Sequence, residues 1–287
     1  MTEEDGSKAP RDPLERHRTL SKEAVLSRNE GAIKNLYIEL GRDFWERIGE
    51  GPDYDVPVLS APETMTKVVE GLDQTDGLIL DAGCGPNPAV AMELASRRSR
   101  SVVILDIGWG MVRTAQAVAA YRGLTLLGVA GDVERLPFRS AVFDGLVCDD
   151  TIEHLPNDQA GVCELARVLR PDGCALLATP NRHSAPIVRA KLKDRLAGVR
   201  QPRSEYFVAS SHLREYTWQE FQRLVRRAFV IDRRRPVGWN VGRKKRALSR
   251  VLWLPGLFRV SQMIVLQCRP QPATKSEAAP SKARTMR

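Results

Sequence analysis

LILDAGCGPNP, residues 78–88, decides how the rest of the chain is read. Leu78, Ile79 and Leu80 run into Asp81, Gly83 and Gly85 alternate with small residues, and Pro86 and Pro88 flank Asn87. A short continuous apolar run suits a strand buried on both faces. Glycines directly after it clear the turn of side chains and free its backbone angles, as a ligand touching the main chain requires. A dinucleotide-binding turn would place a third glycine at position 88, which is Pro, and this weakens the nicotinamide-cofactor reading.

Outward from this turn, short apolar runs alternate with amphipathic stretches. VVILD, LTLLGVA, FDGLVCD, CALLATP, VIDRRR and MIVLQC read as strands. AVAMELASR, MVRTAQAVAAYR, QAGVCELARVLR and TWQEFQRLVRRAF read as helices, with another over 22–50 that includes Tyr37 and Trp45. That alternation predicts an α/β fold with a parallel sheet covered on both faces. Pro171-Asp172-Gly173 marks a helix stop near Arg170.

The 287 residues and 43% hydrophobic content suit one core of ordinary size. The expected organisation is a disordered stretch over 1–20, a single domain over 21–269 and a disordered tail over 270–287. Within the domain, 77–181 forms the core and basic insertions fall at about 184–205 and 238–260. No apolar run approaches the ~20 residues that span a bilayer, and MTEEDGSKAPRDP lacks the apolar centre of a secretory signal. Cys84, Cys148, Cys163, Cys174 and Cys268 show no CxxC pairing, so reduced thiols and a cytoplasmic location are expected. Residues 1–181 carry 19 Lys/Arg against 29 Asp/Glu, and 182–287 carry 25 against 6. The basic part suits an anionic partner or, equally, a solvated surface.

Acids recur at successive strand ends. Asp106 closes the second strand, where a carboxylate can accept both hydroxyls of a ribose. Asp132, in GDVERLPF, can accept from an exocyclic amine such as that of adenine. One such acid is usually a helix cap or a loop residue; three after a glycine turn are hard to explain that way.

LDAGCGPNP, ILDIGWGMVRTA, GDVERLPF, FDGLVCDDTIEHL, ELARVLRPDG and LLATPN together resemble the class I S-adenosylmethionine-dependent methyltransferases. The likeness is to the type 11 group that includes the ubiquinone and menaquinone methylases, and it covers about residues 77–181. It implies a Rossmann-like, seven-stranded, mostly parallel sheet with an antiparallel last strand, and S-adenosyl-L-methionine as cofactor. By position it implies that Asp81 and the backbone at Ala82, Gly83 and Gly85 hold the methionine part. Asp106 would hold the ribose, and Ile107 would pack on the adenine. Asp132 and the backbone of Val133 would read the adenine edge, and Cys148 or Asp149 would touch the methionine amine. Asn87 stands where the family's loop has its third small residue, and Asn tolerates left-handed angles.

Methyl transfer needs a base only if the acceptor loses a proton. His154 is the leading candidate, with His183 and His212 behind it. Asp150, Glu153 and His154 also resemble an acid-xx-acid-His cluster that holds a divalent metal in quinone O-methyltransferases. Helix capping is the preferred account of Glu153 and His154, and no metal is expected. The turn Asp149-Asp150-Thr151 lacks the Asn/Asp-Pro-Pro-aromatic tetrad of enzymes methylating base amino groups, and the Pro-Cys nucleophile of cytosine methylases is absent.

PIVRAKLKDRLAGVR patterns as a basic amphipathic helix, and RKKRALSRVLWLPGLFRV sets cations beside Trp253, Leu254 and Phe258. Such segments suit an anionic membrane surface, or else they cover the core or form a lid over the acceptor. The leading expectation is methylation of a small or lipid-like organic acceptor at oxygen, carbon or nitrogen, with the basic insertions as its lid or as a peripheral contact with an anionic membrane. An RNA-directed methyltransferase is the alternative, ranked lower because aromatics for base stacking are only 6% of the residues.

Overall fold

The computed structural model describes residues 27, 29–49, 69–97, 100–184, 196, 212–237 and 263–272. Residues 1–20, nearly all of both basic insertions, and 273–287 of the tail expected to be disordered over 270–287 lie outside the described residues. The first residues of that tail are ordered, Pro270 closing the last strand and the Gln271 N–H donating to the Ala228 carbonyl.

Seven strands form one sheet: β1 Gly77–Ala82, β2 Arg100–Asp106, β3 Leu127–Ala130, β4 Phe143–Asp149, β5 Leu169–Pro180, β6 Phe229–Val237 and β7 Met263–Pro270. Their order across the sheet is β3-β2-β1-β4-β5-β7-β6. β1 to β5 pair in parallel, and β7 runs antiparallel to both β5 and β6. The expected Rossmann-like sheet with an antiparallel last strand is therefore present.

Adjacent residues of one strand feed opposite faces. Ile79 packs with Ile104, Val147 and Leu176 beneath α2 (Ala89–Arg97) and α3 (Trp109–Tyr121). Leu80 packs with Leu105, Leu146 and Leu177 beneath α4 (Asp158–Val168) and α5 (Trp218–Val225). All eight of these strand side chains are fully buried, which is why the strands are continuous apolar runs. Asn157 caps α4 by accepting from the Ala160 N–H, and Thr217 with Glu220 forms a capping box on α5.

The helix expected to reach Arg170 stops at Val168, and β5 begins at Leu169. Proline at 171 forces the preceding residue toward extended backbone, and Leu169, 2% exposed, joins the core as the first strand residue. A register shift between Phe143 and Gly145 absorbs the Pro-Asp-Gly stretch inside the β4–β5 ladder.

A further helix, α1 (Glu30–Gly49), is capped by Asn29, whose side chain accepts from the Ala32 N–H at 3.0 Å. It lies against the start of α3 at backbone distance. A Cβ on Gly108 would stand 2.7 Å from the Tyr37 carbonyl, and one on Gly110 would overlap the Gly41 carbonyl. Those glycines set how low α1 sits over the carboxyl ends of β1 to β4.

Candidate cofactor and acceptor site

Ligands of open α/β sheets bind beyond the carboxyl ends of the strands. A cleft of 390 Å³ lies there, lined by Gly83, Gly85, Asp106, Ile107, Asp132, Val133, Asp150 and His154, with Lys34, Tyr37 and Leu40 of α1 as its roof. Its size suits one small ligand.

The glycine turn takes the shape its sequence implies. Gly83 has φ +83° and Gly85 φ +56°, in the left-handed region. The N–H groups of Gly83 and Cys84 donate to the Leu105 carbonyl at 2.7 and 3.0 Å, tying the turn to β2. A Cβ on Gly83 would overlap the Thr151 side chain, whereas one on Gly85 would meet nothing within 4 Å. Gly85 therefore faces open cleft.

Asp106 is fixed from both sides. One oxygen accepts from the Gly85 N–H at 3.1 Å and the other from the Gly108 N–H at 3.0 Å. Each oxygen keeps lone-pair capacity for a ligand. Burial raises its pKa, against the backbone N–H bonds that favour the anion. Asp81 sits beneath the turn, 4% exposed. Burial and the neighbouring Asp106 charge push it up to about 7, against a bond from the Ala91 backbone. Burial, with Asp150 and Asp81 nearby, holds Asp149 well above the usual carboxylate range, and its Oδ1 has no hydrogen-bond partner among the described residues. None of these three acids forms an ion pair with a described residue. Cys148 is fully buried in the core and does not line the cleft, and burial drives its thiol pKa up. Of the two residues expected at a methionine amine, Asp149 has the unsatisfied polar atom.

Asp132 has a different setting. Its Oδ1 accepts from the Glu134 N–H at 2.9 Å, and its Oδ2 lies 2.8 Å from Lys34 Nζ. The same ammonium reaches Glu134 at 2.9 Å and Glu30 at 2.6 Å. Burial alone would lower the Lys34 pKa; its bonds to Asp132, Glu30 and Glu134 raise it instead. Val133 and Ile107 supply the apolar lining of this end.

His154 ends the short 3₁₀ turn Ile152–His154 after β4. Its Nδ1 lies 2.7 Å from the Tyr37 hydroxyl, with the rings edge to face. Burial, with Glu153 and Asp106 nearby, raises the Tyr37 pKa, so it stays a phenol. The His212 ring stands edge-on to His154 at 4.8 Å between centroids. Leu213 N–H donates to the Glu153 carbonyl, and Arg214 donates to the carbonyls of Leu155 and Pro156. Glu153 is fully buried; its Oε2 accepts from the Thr179 hydroxyl at 3.0 Å, and burial together with Asp150 raises its pKa strongly. Asp150, at the mouth of the cleft, has φ +49°, a left-handed angle that aspartate, like asparagine, adopts more readily than most residues.

Glu153, His154 and His212 also present ligand atoms within 4.8 Å of one another, a donor set that can hold a divalent cation. Where the sequence suggested Asp150, Glu153 and His154, the fold adds His212, 58 positions downstream of His154. His183 is exposed on the turn after β5 and does not line the cleft. The roof residues Lys34 and Tyr37 were missed by sequence reasoning. Their only signal is a spacing of three on one helix face, which core packing explains equally well.

Residues 80–177 match a family described as "Methyltransferase domain". A malonyl-[acyl-carrier protein] O-methyltransferase of Methylovorus sp. is 32% identical over 137 residues, covering 44% of this chain and 45% of that protein. A ubiquinone biosynthesis O-methyltransferase of Rickettsia conorii is 28% identical over 129 residues, covering 45% of this chain and 42% of that protein. The matched stretch thus spans less than half the length of either relative. Among solved structures, the magnesium protoporphyrin IX methyltransferase of Synechocystis PCC 6803, with bound SAH, superposes with a TM-score of 0.55 at 18% identity, covering 85% of this chain and 100% of that one. At that identity the likeness speaks for the fold alone. Residues 80–177 thus match a methyltransferase domain in sequence, and the fold around them is one that a methyltransferase of known structure shares.

Proposed function

We propose that this chain transfers a methyl group from S-adenosyl-L-methionine to a small or lipid-like organic acceptor. The observation that carries the reading is the charge asymmetry of the cleft. At the end near β1 and β4, Asp106 in the lining, and Asp81 and Asp149 next to it but outside the lining, form no ion pair with a described residue. At the β3 end, Asp132 is paired with the ammonium of Lys34. S-adenosyl-L-methionine is cationic at its amine and sulfonium and neutral at its adenine, so it complements both ends. The relatives' names favour an oxygen as the methylated atom.

When bound, the cofactor supplies an electrophilic methyl group for in-line displacement. The protein's part is alignment and exclusion of water. The backbone at Gly83 and Gly85 lets the ligand approach, and Asp106 holds a ribose diol. Asp132 and the Val133 backbone read the adenine edge, and Ile107 packs on its face. Tyr37 orients His154 through Nδ1, and His154 accepts the proton that an acceptor hydroxyl loses. His154→Ala is expected to lower transfer about 100-fold with cofactor affinity unchanged. Equal activity, with a flat rate from about pH 6 to 9, would remove the base.

The lipid-like acceptor and the membrane contact draw support from where the basic segments attach. Residues 185–211 follow the carboxyl end of β5, and 238–262 join Val237 to Met263, which pair with each other beside Pro180. Both therefore attach at the carboxyl end of β5, the end of the sheet that also bears the cleft. The test is transfer of tritium from methyl-labelled S-adenosyl-L-methionine into fractions of a source-cell lysate. Label in the organic or polar small-molecule fraction is expected. Label in nucleic acid, or no transfer at all, overturns the reading.

A further inference from the structure

We infer that Lys34 is a positioning residue of the cofactor site, holding Asp132 in the geometry that reads an exocyclic amine and fastening α1 over the nucleoside end of the cleft. The inference rests on the cofactor proposed above.

Lys34 lies about 100 positions before Asp132 and Glu134, so their pairing is tertiary. An exposed ion pair of this kind contributes little. This one is sheltered: the lysine side chain is 23% exposed, Asp132 27% and Glu134 7%. One ammonium lies within 2.9 Å of both carboxylates, and Asp132 also accepts from the Glu134 N–H. Without it, two like charges at the end of β3 would face each other with no described cation between them, and Asp132 would turn away. With it, Asp132 is fixed at both oxygens, by Lys34 and by the Glu134 N–H, and keeps lone-pair capacity toward the cleft.

The same contact fastens α1. One turn along the helix, Tyr37 meets His154, and beyond it Gly41 meets the start of α3. The roof is thus held at the nucleoside end by charge, near the acceptor by a phenol–imidazole contact, and on α3 by close backbone packing. Only the first of these bears on the group that would distinguish adenine from another base. An acceptor-only carboxylate matches the amine of adenine and repels the carbonyl of hypoxanthine.

The experiment is calorimetric titration of the full chain with S-adenosylhomocysteine and with S-inosylhomocysteine, which need no acceptor. Wild type is expected to prefer the adenosyl ligand at least about twentyfold. Lys34→Met is expected to lose about tenfold for the adenosyl ligand and little for the inosyl one, so the preference collapses. Lys34→Arg is expected to restore both affinity and preference to within about threefold. If Lys34→Met fails to melt cooperatively, Lys34→Gln takes its place in the same comparison. Unchanged affinity and preference in the variant overturn the inference. So does an equal loss for both ligands, which would mean that Lys34 only supports the helix. A wild type that binds neither ligand defeats the cofactor proposal instead.

Discussion

The two ends of the cleft are built from the same kind of residue and treat it in opposite ways. Near β1 and β4, Asp81, Asp106 and Asp149 crowd together without a protein cation, and burial raises all three pKa values. Near β3, Asp132 and Glu134 share the ammonium of Lys34. Burying like charges together costs stability unless something neutralises them. One end therefore holds a protein cation among its acids, and the other has none among the described residues. A ligand with its positive charge at that second end, as the proposed cofactor has, would complement it.

Asp81 offers the largest effect that could break this comparison. Its folded-state pKa of about 7 lies above the ordinary 3.8, so the folded chain binds that proton more tightly than the unfolded chain. Its contribution to stability consequently falls as pH climbs from about 4 to about 7 and levels off above. Asp81→Asn is expected to stabilise the ligand-free protein at pH 8 by roughly 4 kcal/mol at most, with the gain vanishing below about pH 4. The same variant should bind S-adenosyl-L-methionine more weakly. Thermal melts across pH, with and without the cofactor, read both. A variant less stable at pH 8 would mean that Asp81 is already compensated, and the two ends would no longer differ.

Asp106 comes next. If Asp106 holds a ribose as proposed, Asp106→Ala removes two charge-assisted bonds, each worth about 1.5–3 kcal/mol, so affinity is expected to fall at least tenfold by calorimetry. Unchanged affinity would cancel the ribose assignment. The variant also frees the Gly85 and Gly108 N–H groups, so a lowered melting temperature is expected alongside.

The contrast between the two ends also marks what the sequence could and could not say. Strand-end acids are local features: Asp81, Asp106 and Asp132 each follow an apolar run, and the glycine turn is contiguous with the first of them. The sheet is legible for the same reason, since residues buried on both faces leave unbroken apolar stretches such as Leu78–Leu80 and Val102–Leu105. The end of α4 was misplaced by two residues because Pro171-Asp172-Gly173 signals a stop without saying that Leu169 already belongs to the strand. Lys34, Tyr37 and His212 act at long range. Nothing near Lys34 distinguishes it from a solvated helix lysine; its role exists only because Gly108 and Gly110 let α1 settle onto α3. His212 meets His154 only because Leu213 and Arg214 bind the carbonyls of the turn after β4.

The smallest expected effect lies just beyond the uncompensated end, at Glu153. Its side chain is fully buried, one oxygen accepts from Thr179, and the other has no hydrogen-bond partner among the described residues. Burial and the adjacent Asp150 favour its neutral form. A neutral carboxyl is closely matched by an amide in shape and in its acceptor oxygen. Glu153→Gln is therefore expected to shift stability at pH 7 by less than about 1 kcal/mol, whereas Glu153→Ala, which opens a cavity and strands the Thr179 hydroxyl, costs about 2 kcal/mol or more. The same pair of variants tests the cation reading of Glu153, His154 and His212. A carboxyl group binds a metal ion as the carboxylate, so a bound ion would make the amide nearly as damaging as the alanine and would make wild-type melting sensitive to chelation. A harmless amide with chelator-insensitive melting leaves Glu153 as a protonated structural acid.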